Sequence, residues 1–140
     1  MNKRALDLAA LLHAAGAAQA ELESNLAPLH LSMAKLALLK VLLEAGESLP
    51  MSQLAGRLAC VKSNVTQLVD RLEKDGFVAR KPDAADRRTT LALLTKSGRD
   101  ACVKGTLVQQ QTERDLSRTL TTDEVRQLAV SLEKLGQPRG

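Results

Sequence analysis

The sequence predicts a mainly helical chain of the α+β class with one short β-hairpin, and three observations lead to this expectation. The 140 residues are 44% hydrophobic but include one Phe and no Trp or Tyr. The apolar content is therefore mostly Leu, Ala and Val, and Leu and Ala are strong helix formers. Apolar residues recur at steps of three and four through most of the chain, and only residues 77–94 have a strand-like composition.

The first and last predicted helices carry long apolar stripes. The stripe on the first helix consists of Leu8, Leu11, Ala15, Ala18, Leu22 and Leu26. Pro28 marks the end of this helix. Thr121 and Glu124 have the spacing of a capping box, which predicts the start of the last helix. The stripe on the last helix consists of Val125, Leu128, Leu132 and Leu135. Near-heptad stripes of this kind indicate helices that pack against other helices.

Two further helices are predicted before the middle of the chain. Ser32 is expected to cap a helix that ends near Ala45, followed by Gly46. The expected buried face of this helix consists of Leu36, Leu39, Leu42 and Leu43. Leu49-Pro50 is interpreted as an extended link, and Ser52 as the cap of a short helix over residues 53–59.

A fourth helix and a hairpin follow a break at Cys60-Val61. The helix is expected over residues 62–75, where Gly76 ends it. Strands are predicted over residues 77–81 and 89–94, with a charged loop between them. A long fifth helix then begins after Thr95 and extends to about Leu120. Two glycines are expected to weaken its first turns: Gly98 and Gly105.

The positive charge of the chain is concentrated in its middle third. The net charge is +4, and residues 51–105 contain eleven basic and six acidic side chains. Residues 1–50 have a net charge of −1, and residues 106–140 have none. A local positive field attracts a polyanion such as nucleic acid. A solvated basic face is the alternative interpretation of the charge taken alone.

Two short helices, a break and a hairpin follow one another between Ser52 and Leu94. This order is typical of a winged helix-turn-helix, whose second helix fits the major groove of B-DNA. The exposed face of the fourth helix offers the side chains that contact base edges and phosphates: Lys62, Ser63, Asn64, Gln67 and Arg71. In the hairpin loop, Arg87 and Arg88 are candidates for the minor groove, and Asp86 is expected to hold an arginine in position.

These residues resemble the MarR family of bacterial regulators, the multiple-antibiotic-resistance type. The most specific segments are residues 64–78, and residues 86–88 followed by residues 93–98. The resemblance extends from about Leu6 to Leu135. It implies that Ser63, Asn64 and Gln67 contact bases, that Arg88 enters the minor groove, and that Asp86 braces it. It further implies a homodimer, with a dimerisation region formed by residues 1–31 and 106–140 and a DNA-binding domain formed by residues 32–105.

The function that the resemblance implies is a cytoplasmic, sequence-specific transcriptional regulator. We expect a ligand-responsive repressor that binds double-stranded DNA at a pseudo-palindromic operator. A small-molecule effector is a further expected partner, although no residue identifies its site. His13, His30 and Met33 fall in the general region where relatives bind such molecules, and ordinary surface or interface positions are the favoured interpretation. The alternative function is a winged-helix protein-interaction module without a ligand response.

Enzymatic, cofactor-dependent and membrane functions lack sequence support. There is no Gly-rich phosphate loop, nucleophile elbow or metal-ligand cluster. No apolar run reaches the ~18 residues of a membrane helix, and Asp7 argues against a signal peptide despite its A-x-A sequence at residues 18–20. Cys60 is interpreted as a buried core residue, with a reactive thiol as the alternative. Cys102 is interpreted as a packing residue.

Overall fold

The computed structural model describes residues 4–58 and 64–139, which form helices around a small antiparallel sheet. The first elements are α1 (Leu8–Leu26), a 3₁₀ turn (Ala27–Leu29), α2 (Met33–Glu44), β1 (Ser48–Pro50) and α3 (Met51–Arg57). The later elements are α4 (Val65–Lys74), β2 (Val78–Pro82), β3 (Thr90–Leu94), α5 (Lys96–Ser117) and α6 (Thr122–Gly136). The predicted fold class, mainly helical with a β-hairpin, is confirmed.

Several helix boundaries agree with the capping residues in the sequence. Ser32, Thr95 and Thr121 each accept a hydrogen bond from the backbone N–H three residues later, at 3.0–3.1 Å. These bonds satisfy N–H groups that have no partner inside the helix. Gly46 and Gly76 adopt φ values of +83° and +80° just beyond α2 and α4, where a Cβ atom would be strained. The predicted starts of α2, α5 and α6 are confirmed.

The segment around Pro50 differs from the sequence prediction in two respects. Residues 48–50 are a strand rather than an unpaired link, since Leu49 lies opposite Ala92 of β3 in a sheet of order β1-β3-β2. Three residues are too few for an alternation pattern to be recognised. The helix α3 begins at Met51 with Pro50 in the cap position, so the predicted capping by Ser52 is wrong. Proline, with φ −58°, sets the direction of the chain at the end of the strand.

The centre of the core is α2, which packs against α3, α4, α5 and the sheet. Its buried side chains are Leu36, Leu38, Leu39 and Leu42. Because neighbours surround α2 on more than one side, Leu38 is fully buried although it lies off the predicted face. The prediction that Leu43 is buried is wrong, since 37% of it is exposed beside Val103 and Leu107 of α5.

The two glycines near the start of α5 permit close packing. A Cβ atom on Gly98 would lie 1.9 Å from the carbonyl oxygen of Phe77, and one on Gly105 would lie 2.8 Å from Leu36 Cδ1. The helix can therefore approach the root of the hairpin and α2 only because these side chains are absent. Between them, Cys102 is 1% exposed, which confirms its packing role, and burial raises the pKa of its thiol.

The terminal helices are much less covered than the centre. Asn25 of α1 donates a hydrogen bond to the buried Thr112 of α5 at 2.9 Å, which fixes the end of α1 on α5. At the other end of α1, Leu8 and Leu12 are 60% and 61% exposed. Every residue of α6 is exposed, and α6 has no substantial contact with another described element. Among the described residues of the single chain, the predicted apolar stripe of α6 therefore lacks a substantial packing partner.

The described residues contain neither a single membrane-spanning helix nor a cluster of metal ligands. Within residues 4–58 and 64–139, no single helix is long and apolar enough to cross a membrane. In the part of the chain that the structure describes, one pair of helical segments, residues 8–29 and 33–44, meets those criteria together, and the pair is bent by 71°. Among the described side chains, no three His, Cys, Asp or Glu residues are placed to share a metal ion.

Candidate nucleic-acid interface

The N-terminal end of α4 is formed by Asn64, one of the predicted base-contacting residues. Its side-chain oxygen accepts hydrogen bonds from the backbone N–H groups of Thr66 and Gln67, at 3.0 and 3.3 Å. The helix therefore begins at Val65, later than the sequence predicts, and Asn64 is its N-cap. Two predicted interface residues, Lys62 and Ser63, and the turn that contains Cys60 lie outside the described residues.

A polar stripe runs along the exposed side of α4. It consists of Asn64, Gln67, Arg71 and Lys74, all of them exposed. Steps of three and four place these side chains on one face of the helix, over a length of about 15 Å. The structure thus brings Asn64, Gln67 and Arg71 together, as expected from the sequence. Amide and guanidinium groups on one face can donate and accept several hydrogen bonds in parallel.

The opposite side of α4 anchors the helix to the body of the protein. Leu68, Val69 and Leu72 are at most 5% exposed and belong to the main core. At the C-terminal end, Lys35 Nζ of α2 lies 2.8 Å from Asp75 Oδ2. The polar stripe is therefore presented to solvent on a helix whose orientation is fixed by packing.

The hairpin of β2 and β3 ends in a loop that Asp86 organises. The Asp86 side chain accepts a hydrogen bond from the backbone N–H of Arg88 at 3.1 Å and another from Thr89 Oγ1 at 3.2 Å. The Asp86 carbonyl also accepts from the Thr89 N–H at 2.9 Å, which closes a turn. Asp86 thus holds Arg88 through its main chain, whereas the sequence left open which group of the arginine it would hold.

The two arginines of this loop are accessible to solvent. Arg87 and Arg88 are both exposed, and neither forms an ion pair with another described side chain. Guanidinium groups in this state are available to a phosphate or a narrow minor groove.

A third arginine, Arg80, has a position that the sequence pattern does not predict. In the sequence it is one more basic residue of the β2–β3 hairpin. In the structure its guanidinium lies against α4, 2.7 Å from Asp70 Oδ1 and 3.1 Å from Glu73 Oε1. The signal that could have indicated this contact is the pair of acidic residues, three apart, on a helix of an otherwise basic segment.

The fold and this interface agree with a known family. The MarR family model matches residues 31–90, which include α2, β1, α3, α4, β2 and the loop that follows β2. The matched segment contains α4, the candidate recognition helix, and most of the wing, which is the β2–β3 hairpin with its loop. This part of the chain is therefore similar to the MarR family.

Individual relatives support this similarity. The chain is 35% identical over 86 residues to the uncharacterised HTH-type transcriptional regulator YkoM of Bacillus subtilis, covering 61% of this chain and 56% of YkoM. It is 38% identical over 72 residues to the multiple antibiotic resistance protein MarR of Escherichia coli, covering 51% of this chain and 50% of that protein. The chain thus spans about half the length of these relatives.

A solved structure extends the similarity to almost the whole fold. A cysteine-to-serine variant of MarR from E. coli, crystallised with operator DNA, superposes with a TM-score of 0.79 at 28% sequence identity. The superposition covers 94% of this chain and 95% of that one. The long terminal helices therefore belong to the shared winged-helix architecture, although the sequence matches are shorter.

Proposed function

We propose that this protein is a sequence-specific DNA-binding transcriptional regulator rather than an enzyme. The observation that carries the proposal is the pairing of an exposed polar stripe on α4 with a wing whose Arg87 and Arg88 are free of ion pairs with described side chains. The similar fold of an E. coli MarR variant bound to operator DNA supports this interpretation.

In this proposal α4 lies in the major groove. Gln67 and Arg71 contact base edges, for which their side chains have suitable donors and acceptors. Asn64 accepts hydrogen bonds from the start of the helix through its oxygen, so its amide nitrogen is the group that faces the DNA. Lys62 and Ser63, which precede the described part of α4, complete the proposed set.

The wing supplies the second contact. We assign Arg88 to the minor groove, where negative potential favours an inserted guanidinium. Asp86 fixes the main chain at Arg88, so the arginine side chain starts from a defined position. Because Arg87 lies beside it and is equally exposed, Arg87 is assigned to the flanking phosphates.

A homodimer is the proposed assembly, and α6 provides the main support. A helix of 15 residues without substantial contacts to the other described elements is only marginally stable in water. Yet α6 exposes an apolar series: Val125, Leu128, Leu132 and Leu135 are 38–47% exposed. Burying this series against the exposed parts of α1 and α5 in a second copy would stabilise all three helices.

The dimer proposal also assigns the two regions of the chain. Residues 1–31 and 106–140 are the proposed dimerisation region, and residues 32–105 are the proposed DNA-binding domain. A two-fold dimer presents two copies of α4 related by symmetry, so its natural target is a pseudo-palindromic operator. A bacterial regulator that binds chromosomal DNA acts in the cytoplasm, so the cytoplasmic location expected from the sequence is part of this proposal.

Ligand-responsive repression is the final part of the proposal. A cleft of about 170 Å³ lies between α1, the start of α2 and α5, lined partly by Leu22, Met33 and Leu116. Among the described residues that line it, Glu113 is the charged one, so a small neutral apolar molecule fits better than an anion. Occupying a cleft at this junction would change the balance between dimer conformations with different wing spacing.

The proposal is tested by fluorescence anisotropy on labelled duplex DNA from the flanks of the gene that encodes the protein. The titration uses wild type, Arg88→Ala and Arg118→Ala at several salt concentrations, with random duplex as competitor. Arg118 is the control for net charge, because it carries the same charge at the far end of α5, about 30 Å from the start of that helix. Because Arg118 pairs with Asp115 and lies in the proposed dimerisation region, the oligomeric state of each variant is checked by size-exclusion chromatography.

We expect wild-type affinity to fall steeply with salt, with a slope corresponding to roughly six or more phosphate contacts, and to survive random competitor. Arg88→Ala should weaken binding about tenfold or more, and Arg118→Ala should leave it unchanged. Equal effects of the two substitutions would mean that only net charge matters. An absence of wild-type binding at low salt would contradict the proposal and favour a protein-interaction module.

A further inference from the structure

Arg80 of β2 connects the wing to the recognition helix. Its side chain is only 25% exposed, although it lies near the protein surface. Its Nη2 atom lies 2.7 Å from Asp70 Oδ1 and donates to the Thr66 carbonyl oxygen at 3.4 Å, and its Nη1 atom lies 3.1 Å from Glu73 Oε1. One guanidinium group therefore bridges two turns of α4.

The three groups that Arg80 contacts form a stripe of their own. Residues 66, 70 and 73 are spaced by four and three positions, so they share one flank of α4. This flank is neither the buried face nor the polar stripe, but it is adjacent to the polar stripe. The carboxylates of Asp70 and Glu73 therefore lie beside the surface that is proposed to approach DNA.

DNA binding by α4 and the wing places two physical requirements on this part of the protein. The chain turns at Gly76 between α4 and β2, and Arg80 adds a side-chain attachment further along β2 that helps to set the angle between helix and wing. In addition, two uncompensated carboxylates next to a polyphosphate would repel it. The Arg80 guanidinium meets both requirements, because it is a rigid fork with donors for both carboxylates.

We propose that Arg80 is a positioning residue for DNA recognition. It holds the recognition helix and the wing at the spacing of adjacent major and minor grooves, and it neutralises the acidic flank of α4. This inference rests on the proposed DNA-binding function. It assigns Arg80 a role different from that of Arg87 and Arg88, which are exposed and supply direct contacts.

Four variants separate positioning from charge: Arg80→Gln, Arg80→Lys, the double variant Asp70→Asn with Glu73→Gln, and the triple variant that combines this pair with Arg80→Gln. Each is titrated against operator and random duplex at several salt concentrations, and its thermal unfolding is recorded. The readouts are the ratio of operator to random affinity and the salt slope. A purely structural role would change unfolding without changing either readout.

We expect Arg80→Gln to lower operator affinity about tenfold or more, because the base-contacting groups lose alignment. Affinity for random DNA should fall by less, because only the neutralisation of the acidic flank is lost, so the operator-to-random ratio also falls. The salt slope should stay the same. The triple variant should regain affinity for random DNA, because its acidic flank is neutral again. It should not regain the operator-to-random ratio, because α4 and the wing are still not held together by Arg80. Arg80→Lys should keep random affinity and lose part of the ratio, since one ammonium cannot bridge both carboxylates as a fork does.

Three results would overturn the inference. A salt slope lower by about one, with equal loss on operator and random DNA, would make Arg80 a direct phosphate contact. Wild-type behaviour of Arg80→Gln, while Arg88→Ala is impaired, would remove the positioning role and leave the proposed function intact. A wild-type protein that does not bind DNA would overturn both. If Arg80→Gln does not fold, the double variant decides, because it removes both carboxylate anchors and keeps the arginine. The inference then predicts a lower operator-to-random ratio, and an unchanged ratio would overturn it.

Discussion

Replacing Gly98 by Ala should destabilise the protein strongly, although the same change in an exposed helix stabilises it. An added Cβ atom would lie 1.9 Å from the Phe77 carbonyl oxygen, and such contacts are essentially never under 3.0 Å. The root of the hairpin would have to move by at least 1.1 Å, the difference between the two distances. The Thr95 N–H donates to the same oxygen at 3.1 Å, so this bond would be strained or lost.

These effects give an approximate magnitude. Overpacking against backbone costs up to about 3 kcal/mol. The lost hydrogen bond adds about 1 kcal/mol, and the better helix propensity of Ala returns at most about 1 kcal/mol. We therefore expect the free energy of unfolding of Gly98→Ala to fall by about 3 kcal/mol. Urea denaturation followed by circular dichroism measures it, at one fixed protein concentration because self-association changes apparent stability.

Gly56→Ala is the matched control for this experiment. Gly56 lies in α3 with nothing within 4 Å of an added Cβ atom. Its replacement should raise the free energy of unfolding by up to about 1 kcal/mol. If Gly98→Ala were as stable as wild type or Gly56→Ala, the close approach of α5 to the root of the hairpin would be wrong.

Two further predictions concern the wing and the buried thiol. Asp86→Ala removes the side chain that accepts hydrogen bonds from the Arg88 N–H and from Thr89 Oγ1. Operator affinity, measured by anisotropy, should therefore fall about tenfold. The free energy of unfolding should change by less than about 1 kcal/mol, because the site is exposed. Burial raises the pKa of Cys102, so in a Cys60→Ser background its alkylation by iodoacetamide near neutral pH should be much slower in the folded than in the unfolded protein. The stability linked to this raised pKa should be present below the thiol pKa of the unfolded chain, and it should be lost as pH rises from there towards the folded pKa.

Each of these predictions has its own contradicting result. An Asp86→Ala variant with wild-type affinity would mean that the loop turn does not position the arginine. Equal alkylation rates in folded and unfolded protein would mean that Cys102 is accessible. A Cys102→Ala variant in the same background is the control for the pH dependence, because it has no thiol to titrate.

Much of the fold was predictable because its signals are local. Ser32, Thr95 and Thr121 are capping residues whose side-chain hydrogen bonds reach backbone N–H groups three positions later. Gly76 follows α4 with a positive φ, a backbone angle that glycine adopts without strain. The polar stripe of α4 was predictable in the same way, since helix periodicity alone places Gln67 and Arg71 on one side.

The features that sequence reasoning missed depend on contacts between distant segments. β1 is a strand because β3 pairs with it, 43 positions further on at Leu49 and Ala92. Gly98 looks like a weak point of α5 until the Phe77 carbonyl is seen beside it. Arg80 looks like another wing cation, and only the packing of β2 on α4 places it between two carboxylates.

Selection from a random duplex library tests the central claim most directly, because the operator sequence need not be known in advance. We predict that the protein enriches a pseudo-palindromic sequence with half-site centres about ten base pairs apart, one for each α4 of a dimer. Arg88→Ala should enrich the same sequence more weakly. If wild type enriched no sequence over the starting library, the chain would not be a sequence-specific DNA-binding protein, and the DNA contacts assigned to α4 and the wing would be wrong.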